Sequence, residues 1–282
     1  MIETPIETYQ LNGKTVYVKR EDLSAGDPDA PTFSKIRGLE KRLKQLVEEG
    51  YQTIGYVETS ISMAGWGICY LARNLPVKVI IFNPIYKPRN PLPLHQLLLQ
   101  KHREKWNEHS NVSVIDIQAT RVLLNFYKAR TIMQEYPNPI LLPLGLPLSE
   151  TIEETARITK EIAHDYQTWV VNIGSGSICS GVVKGLKDNP QAKIYGIMGR
   201  TGSVAAKRKK IIAGTQELFY RPQLEVIDEG FEYTEPCEAD APFPCHPFYD
   251  LKAWKWLENN VDSLKGKIIF WNIGAMPWTI GK

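Results

Sequence analysis

The chain has 282 residues, of which 43% are hydrophobic and 23% charged, with a formal net charge of +3. That is ordinary globular composition, long enough for one large domain or two modest ones. The small positive excess does not by itself demand an acidic polymer as partner, and no apolar run approaches the ~20 residues that span a bilayer.

Strand-like and helix-like segments alternate, which predicts an α/β architecture. Val16 to Val18 is a short strand ending in Lys19-Arg20-Glu21-Asp22, followed by a Gly/Asp/Pro loop from Ser24 to Pro31. From Lys35 to Glu49, Ile36, Leu39, Leu43, Leu46 and Val47 recur at helical spacing. Thr53 to Val57 is a strand, and Ala64 to Leu75 a helix. Val77 to Phe82 is continuously apolar, as in a strand buried on both faces. Pro84, Pro88, Pro91 and Pro93 predict an irregular crossing before a helix from Leu94 to Glu108. Val112 to Ile117 is a strand and Arg121 to Glu135 a helix, and the proline-rich stretch from Pro137 to Pro147 reads as a connection between domains. Thr151-Ile152-Glu153-Glu154 fits a capping box that opens a helix running to Tyr166. Trp169 to Ile173 is a strand, Cys179 to Leu186 a helix, Ile194 to Met198 a strand and Ser203 to Ala213 a helix. Lys252 to Asn260 is helical, and Lys267 to Trp271 is the last strand.

The sharpest local chemistry lies between Val170 and Gly181, where an apolar strand runs into Gly174-Ser175-Gly176-Ser177-Ile178 and then a helix. Such a turn presents backbone N–H groups at a helix N-terminus, where the dipole favours an anion. With no basic residue in the loop, it suits a cofactor phosphate held by neutral donors. It is neither a P-loop nor a G-x-G-x-x-G fingerprint.

Four segments together resemble the pyridoxal 5′-phosphate (PLP) enzymes of the tryptophan-synthase-β fold, most closely the 1-aminocyclopropane-1-carboxylate deaminase and D-cysteine desulfhydrase family. They are Lys19-Arg20-Glu21-Asp22 with Ser34-Lys35-Ile36-Arg37-Gly38-Leu39-Glu40; the Gly/Ser loop; His246-Pro247-Phe248-Tyr249-Asp250-Leu251-Lys252-Ala253; and Phe270-Trp271-Asn272-Ile273-Gly274-Ala275. They span almost the whole chain in the family's order. The resemblance implies a two-domain α/β fold of PLP fold type II. The large domain would be residues 1–49 and 147–282, the small one residues 50–146, with the cofactor in the crevice between them. It further implies that Lys35 carries PLP as a Schiff base and that Gly174, Ser175, Gly176, Ser177 and Ile178 hold its phosphate. Asp250 would face the pyridine nitrogen, Tyr249 would stand near the substrate, and Ser62 would bind the substrate carboxylate. A homodimer is expected on the same ground.

The departures bear on the reaction. Met63 stands where the family has an asparagine beside the cofactor's phenolic oxygen, Ser34 replaces the asparagine before the lysine, and Asn272-Ile273-Gly274-Ala275 lacks the family's histidine and second glycine. The first expectation is a deaminase or lyase acting at the Cα of a small amino-acid-like substrate. The alternatives are a decarboxylase acting on an amino acid attached to a nucleotide or nucleic acid, and a non-catalytic protein that kept the scaffold.

Other constellations carry less. His95, His102 and His109 recur every seven residues, wider than a helical metal pair, and read as a solvated face. Cys237, Cys245 and His246 lack an evident fourth ligand, so no metal is expected. Arg200 and Lys207-Arg208-Lys209-Lys210 read as a solvated helix, with a patch for a nucleic-acid-linked substrate as the alternative. Met1 to Pro5 lacks the features of a signal peptide and Cys69, Cys179, Cys237 and Cys245 form no framework, so a cytoplasmic protein is expected.

Overall fold

The computed structural model describes residues 1–87, 89–215 and 223–276; Pro88 of the expected crossing lies outside them. In chain order the elements begin with β1 (Ile6–Leu11), β2 (Lys14–Arg20), α1 (Ile36–Glu48), β3 (Thr53–Val57), α2 (Ala64–Ala72), β4 (Lys78–Ile85) and α3 (Leu94–Asn107). There follow β5 (Val112–Gln118), α4 (Val122–Met133), β6 (Pro139–Leu141), α5 (Ser149–Glu161), β7 (Thr168–Ile173) and α6 (Ser177–Gly185). The last are β8 (Lys193–Met198), α7 (Val204–Gly214), β9 (Gln223–Ile227), α8 (Asp250–Asn260) and β10 (Ile268–Asn272).

These elements form two units. Among the described residues one comprises Met1–Asp27, Thr32–Gly38 and those from Leu148 to Met276; the other comprises Pro28–Pro31 and Leu39–Pro147. The first is built on a six-stranded sheet ordered β1-β2-β10-β7-β8-β9. β1 and β2 form an antiparallel hairpin. Its two-residue turn is Asn12-Gly13, both at positive φ, the backbone that matches the twist of the flanking strands. Every other pairing in this sheet is parallel.

Every residue of β7 and β10 is buried, because helices cover both faces of the sheet. Alternation along β7 divides the core. Trp169, Val171 and Ile173 pack with α5, α6 and α7 residues such as Ile158, Val182 and Ile211. Val170 points the other way, joining Phe270 of β10 and Trp254 and Leu257 of α8. From β7 the chain steps outward through α6, β8, α7 and β9, then returns by α8 to lay β10 on the opposite side of β7. The strand order therefore reverses between β7 and β10. Open parallel sheets bind ligands at the carboxyl ends of the strands flanking such a point.

α6 fits closely against α5: a Cβ on Gly181 would lie 2.4 Å from Thr155 Cβ and 2.8 Å from the Ile152 carbonyl. Backbone cannot yield as a flexible side chain does. Gly181→Val is expected to cost about 1–3 kcal/mol of stability through overpacking, read as a lower urea midpoint at unchanged m-value.

The second unit holds a parallel four-stranded sheet ordered β5-β4-β3-β6. Its core includes Val57, Ile80, Phe82, Ile117, Ala129 and Met133. β4 runs past its expected end to include Pro84. Beyond Phe82 it pairs with β5 alone, so the missing proline N–H leaves no second ladder short of a donor.

Two local expectations are corrected. The capping box does not form: α5 starts at Ser149 behind Leu148, and Thr151 lies inside the helix, buried against Gly38. The histidine stripe is not a solvated face throughout. His102 is fully buried with its ring 6.4 Å from that of Trp66, and burial pushes its pKa down to about 3, so it is a neutral core residue. Among the described residues no helix is long and apolar enough to cross a membrane.

Candidate active site

The carboxyl ends of β2, β10, β7 and β8 share one edge of the six-stranded sheet. At β7 the backbone leaves Ile173, turns through Gly174-Ser175-Gly176 and enters α6. Gly176 has φ 103°, which an L side chain rarely adopts, and it stands where a cap would sit. The N–H groups that follow it open the helix and have no intrahelical acceptor. Ser175 Oγ and Ser177 Oγ lie 3.0 Å apart across the mouth of the turn.

Lys35 reaches this loop from the residue before α1, and its Nζ donates to Ser175 Oγ at 2.8 Å. Its backbone is held by the end of β10. Ser34 N donates to the Ile273 carbonyl at 2.8 Å, Ala275 N to the Thr32 carbonyl at 3.1 Å, and Phe33 bridges Gly274. Burial pushes the Lys35 amine down to about 7, and the positive charge of Lys210 adds to the effect. Near neutral pH a substantial fraction of Lys35 is the free-base nucleophile.

Asp250 opens α8 and is fully buried. Its two carboxylate oxygens accept from Ile273 N and Gly274 N, each at 3.0 Å. Burial raises its pKa to about 8, with a smaller push from Asp22, against the two backbone donors. Tyr249 is half-buried, with its ring beside Gly174: a Cβ built there would lie 3.8 Å from Tyr249 Cε1. Asn172 Nδ2 donates to the Tyr249 carbonyl at 2.8 Å, and the His246 ring centre lies 4.9 Å from that of Tyr249. The run after β2 braces this edge from below. Arg20 grips Asp22 at 2.9 and 2.7 Å, and Arg37 Nε reaches Glu21 at 3.0 Å.

Lys35, the Gly/Ser loop, Tyr249-Asp250 and the segment after β10 thus meet at one sheet edge within one unit. Ser62 and Met63 belong to the other unit. Ser62 Oγ accepts from Ala64 N at 3.1 Å, and Met63 is buried ahead of α2. Glu58, not singled out from the sequence, staples that loop: it accepts from Thr59 N and Gly65 N, each at 2.7 Å. Burial raises its pKa to about 8. Lys207 was also missed as a site residue. Its Nζ donates to the Gly174 carbonyl at 2.9 Å, so the loop has a cation beside it after all. The Glu58 bonds are local, to backbone one and seven residues on, whereas the Lys207 bond needs β7 and β8 to lie side by side. Cys237 and Cys245 contact the Leu251 carbonyl and Asn272 Oδ1, and His246 Nδ1 accepts from Phe248 N.

No protein-family model matches the chain. Among solved structures it is similar to an ACC deaminase homologue with a TM-score of 0.75 at 22% identity, covering 97% of this chain and 90% of that one. It is similar also to a hydrogen sulfide-producing enzyme from Fusobacterium nucleatum with a TM-score of 0.67 at 16% identity, covering 96% and 95%. The fold is therefore PLP fold type II. In sequence the chain is 37% identical, over 96% of its length and 98% of the other, to the glycyl-dTMP PLP-dependent decarboxylase of Pseudomonas phage M6. The chain belongs to that family, the PLP-dependent enzymes of the tryptophan-synthase-β fold.

Proposed function

We propose that the chain is a PLP-dependent decarboxylase whose substrate is an amino acid carried on a thymidylate-type nucleotide. The observation that carries this reading is the full-length similarity to the phage M6 enzyme. The deaminase expectation drew on a family to which the likeness, at 22% identity, is one of fold alone.

The residues present fit the cofactor. The Gly174–Ile178 turn offers amides and two serine hydroxyls to a phosphate at a helix N-terminus. Lys35, already hydrogen-bonded to Ser175 and with a depressed pKa, is assigned to the covalent link. Asp250, held by two backbone donors, is assigned to the ring nitrogen. When bound, PLP supplies an electron sink for the pair left on Cα as a bond to it breaks.

The remaining work falls to the chain. In decarboxylation the Cα–carboxylate bond breaks, carbon dioxide departs and Cα takes up one proton, leaving an amine one carbon shorter. Lys35 Nζ would hold that proton for Cα, and the Tyr249 phenol beside Gly174 is the second donor. Ser62 Oγ accepts from Ala64 N and keeps its hydroxyl proton to give, the property that a carboxylate-binding role requires.

The test is to incubate PLP-loaded protein with a glycine-bearing thymidylate labelled in the carboxyl carbon. Labelled carbon dioxide and an amine product in equal amounts are expected. Release of ammonia with the carboxyl carbon retained would overturn decarboxylation in favour of deamination.

A further inference from the structure

The loop between β3 and α2 carries a buried acid that the chemistry above leaves unused. Glu58 is 1% exposed, and its two carboxyl oxygens accept from Thr59 N and Gly65 N, each at 2.7 Å. These bonds bracket Ser62, the residue assigned to the substrate carboxylate. Gly65 is required for so close an approach, since a Cβ there would lie 2.2 Å from Glu58 Oε2. The amide just before it, Ala64 N, donates to Ser62 Oγ at 3.1 Å. Consecutive amides at the start of α2 therefore hold the Glu58 carboxyl and the Ser62 hydroxyl.

The surroundings decide the charge of this acid. Burial raises its pKa to about 8, against the two backbone donors and with no cation to oppose it. α2 presents Cys69, whose thiol is pushed well above its usual value, first by burial and then by Glu58. α3 presents Trp106, whose uncharged Nε1 lies 3.2 Å from the point a Gly65 Cβ would occupy, and one turn earlier His102, which burial keeps neutral. β4 contributes the Phe82 carbonyl, which accepts from Glu58 N at 3.0 Å.

We propose that Glu58 is a positioning residue for the substrate carboxylate: as the neutral acid it shapes the Ser62 loop, and once ionised it turns the substrate away. This rests on the role assigned to Ser62, but not on decarboxylation, because a deaminase substrate carries the same carboxylate. A carboxylate at Ser62 and an ionised Glu58 would meet at one helix start in a buried setting, where like charges repel strongly. The substrate's carboxylate comes from water with an ordinary low pKa, so the proton stays on Glu58.

The experiment uses PLP-loaded protein, a glycine-bearing thymidylate and the amine one carbon shorter, which lacks the carboxylate. Binding is read from the spectral change of the loaded protein in the first milliseconds after stopped-flow mixing, across a pH series on both sides of 8. In the parent, the preference for the acid over the amine is expected to fall by about tenfold per pH unit above about 8. Glu58→Gln cannot ionise, and its preference should stay level, with an unchanged far-UV spectrum and unchanged affinity for the amine. A purely structural role would weaken both ligands alike and leave the pH profile in place. An equal fall in parent and variant, or a level preference in the parent, would overturn the proposal, and the parent series decides alone should the variant not fold. Carbon dioxide release without the pH-dependent preference sinks the role of Glu58 and leaves the decarboxylase. The preference without carbon dioxide release does the reverse, and a glycine-bearing thymidylate that binds at no pH sinks both.

Discussion

Lys35→Arg is expected to lower kcat/KM by about a thousandfold or more, with the chain still folded and still able to take up PLP without covalent attachment. Arginine keeps the charge and much of the length of lysine but has no neutral nitrogen in the working pH range. It can donate to Ser175 as Lys35 does, yet it cannot attack a carbonyl. Borohydride reduction followed by peptide mass spectrometry should find the cofactor fixed on Lys35 in the parent and nowhere in the variant. Cofactor fixed on another lysine would sink the assignment. The depressed pKa gives the same claim a pH signature in the apo protein. The reactive species is the free base, so covalent loading should accelerate about tenfold per pH unit below 7 and level off above it. An ordinary lysine would go on accelerating to pH 10.

Asp250→Asn carries the second large effect, expected as about a hundredfold loss in kcat together with about 1–3 kcal/mol of stability. Each oxygen of Asp250 accepts one backbone N–H, from Ile273 and from Gly274. A carboxamide offers one acceptor and one donor, so one of those buried N–H groups would face an NH2. The substitution also removes the charge assigned to the cofactor's ring nitrogen. A pH series separates the two consequences. The Asp250 carboxyl, raised by burial to about 8, binds a proton in the folded apo protein that the unfolded chain has lost above about pH 4. The native state therefore holds the extra proton between those values, and apo stability should fall as pH rises through that window. Asp250→Asn should lose that dependence, as seen in urea midpoints from pH 4.5 to 8.5. An unchanged pH profile would place the raised pKa elsewhere.

The buried centre of the fold was legible in the sequence, and its margins were not. Trp169 to Ile173 and Val77 to Phe82 announce themselves as apolar runs because neighbours cover both of their faces. β1 and β9 lie at the two edges of the larger sheet, with burial that alternates or stays partial, and their sequences give no such run. β6 is three residues long and begins with Pro139, which is tolerated at the start of an edge strand. For the site, Lys35 and the Gly/Ser loop were readable because strand, turn and helix are contiguous there. Asp250 was readable only through resemblance, since its partners lie 23 and 24 residues further on and become neighbours only when β10 settles beside β7. Lys207 had no local sign of its bond to Gly174, which requires β7 and β8 to lie side by side. The capping box misled because Thr151 has a better use, packed against Gly38.

The placement of β10 between β2 and β7 has a consequence for how the chain is made. The strands of the four-stranded sheet all come from residues 53 to 141, so that sheet has its full complement long before synthesis ends. β2, finished by Arg20, must wait for Ile268 to emerge before it gains its parallel neighbour β10. During that interval the β1–β2 hairpin exposes an edge meant for the interior, and closing it later spans almost the whole polypeptide. A nascent chain stalled before β10 would therefore carry an unpaired strand edge, the kind of surface that chaperones hold and aggregates grow from.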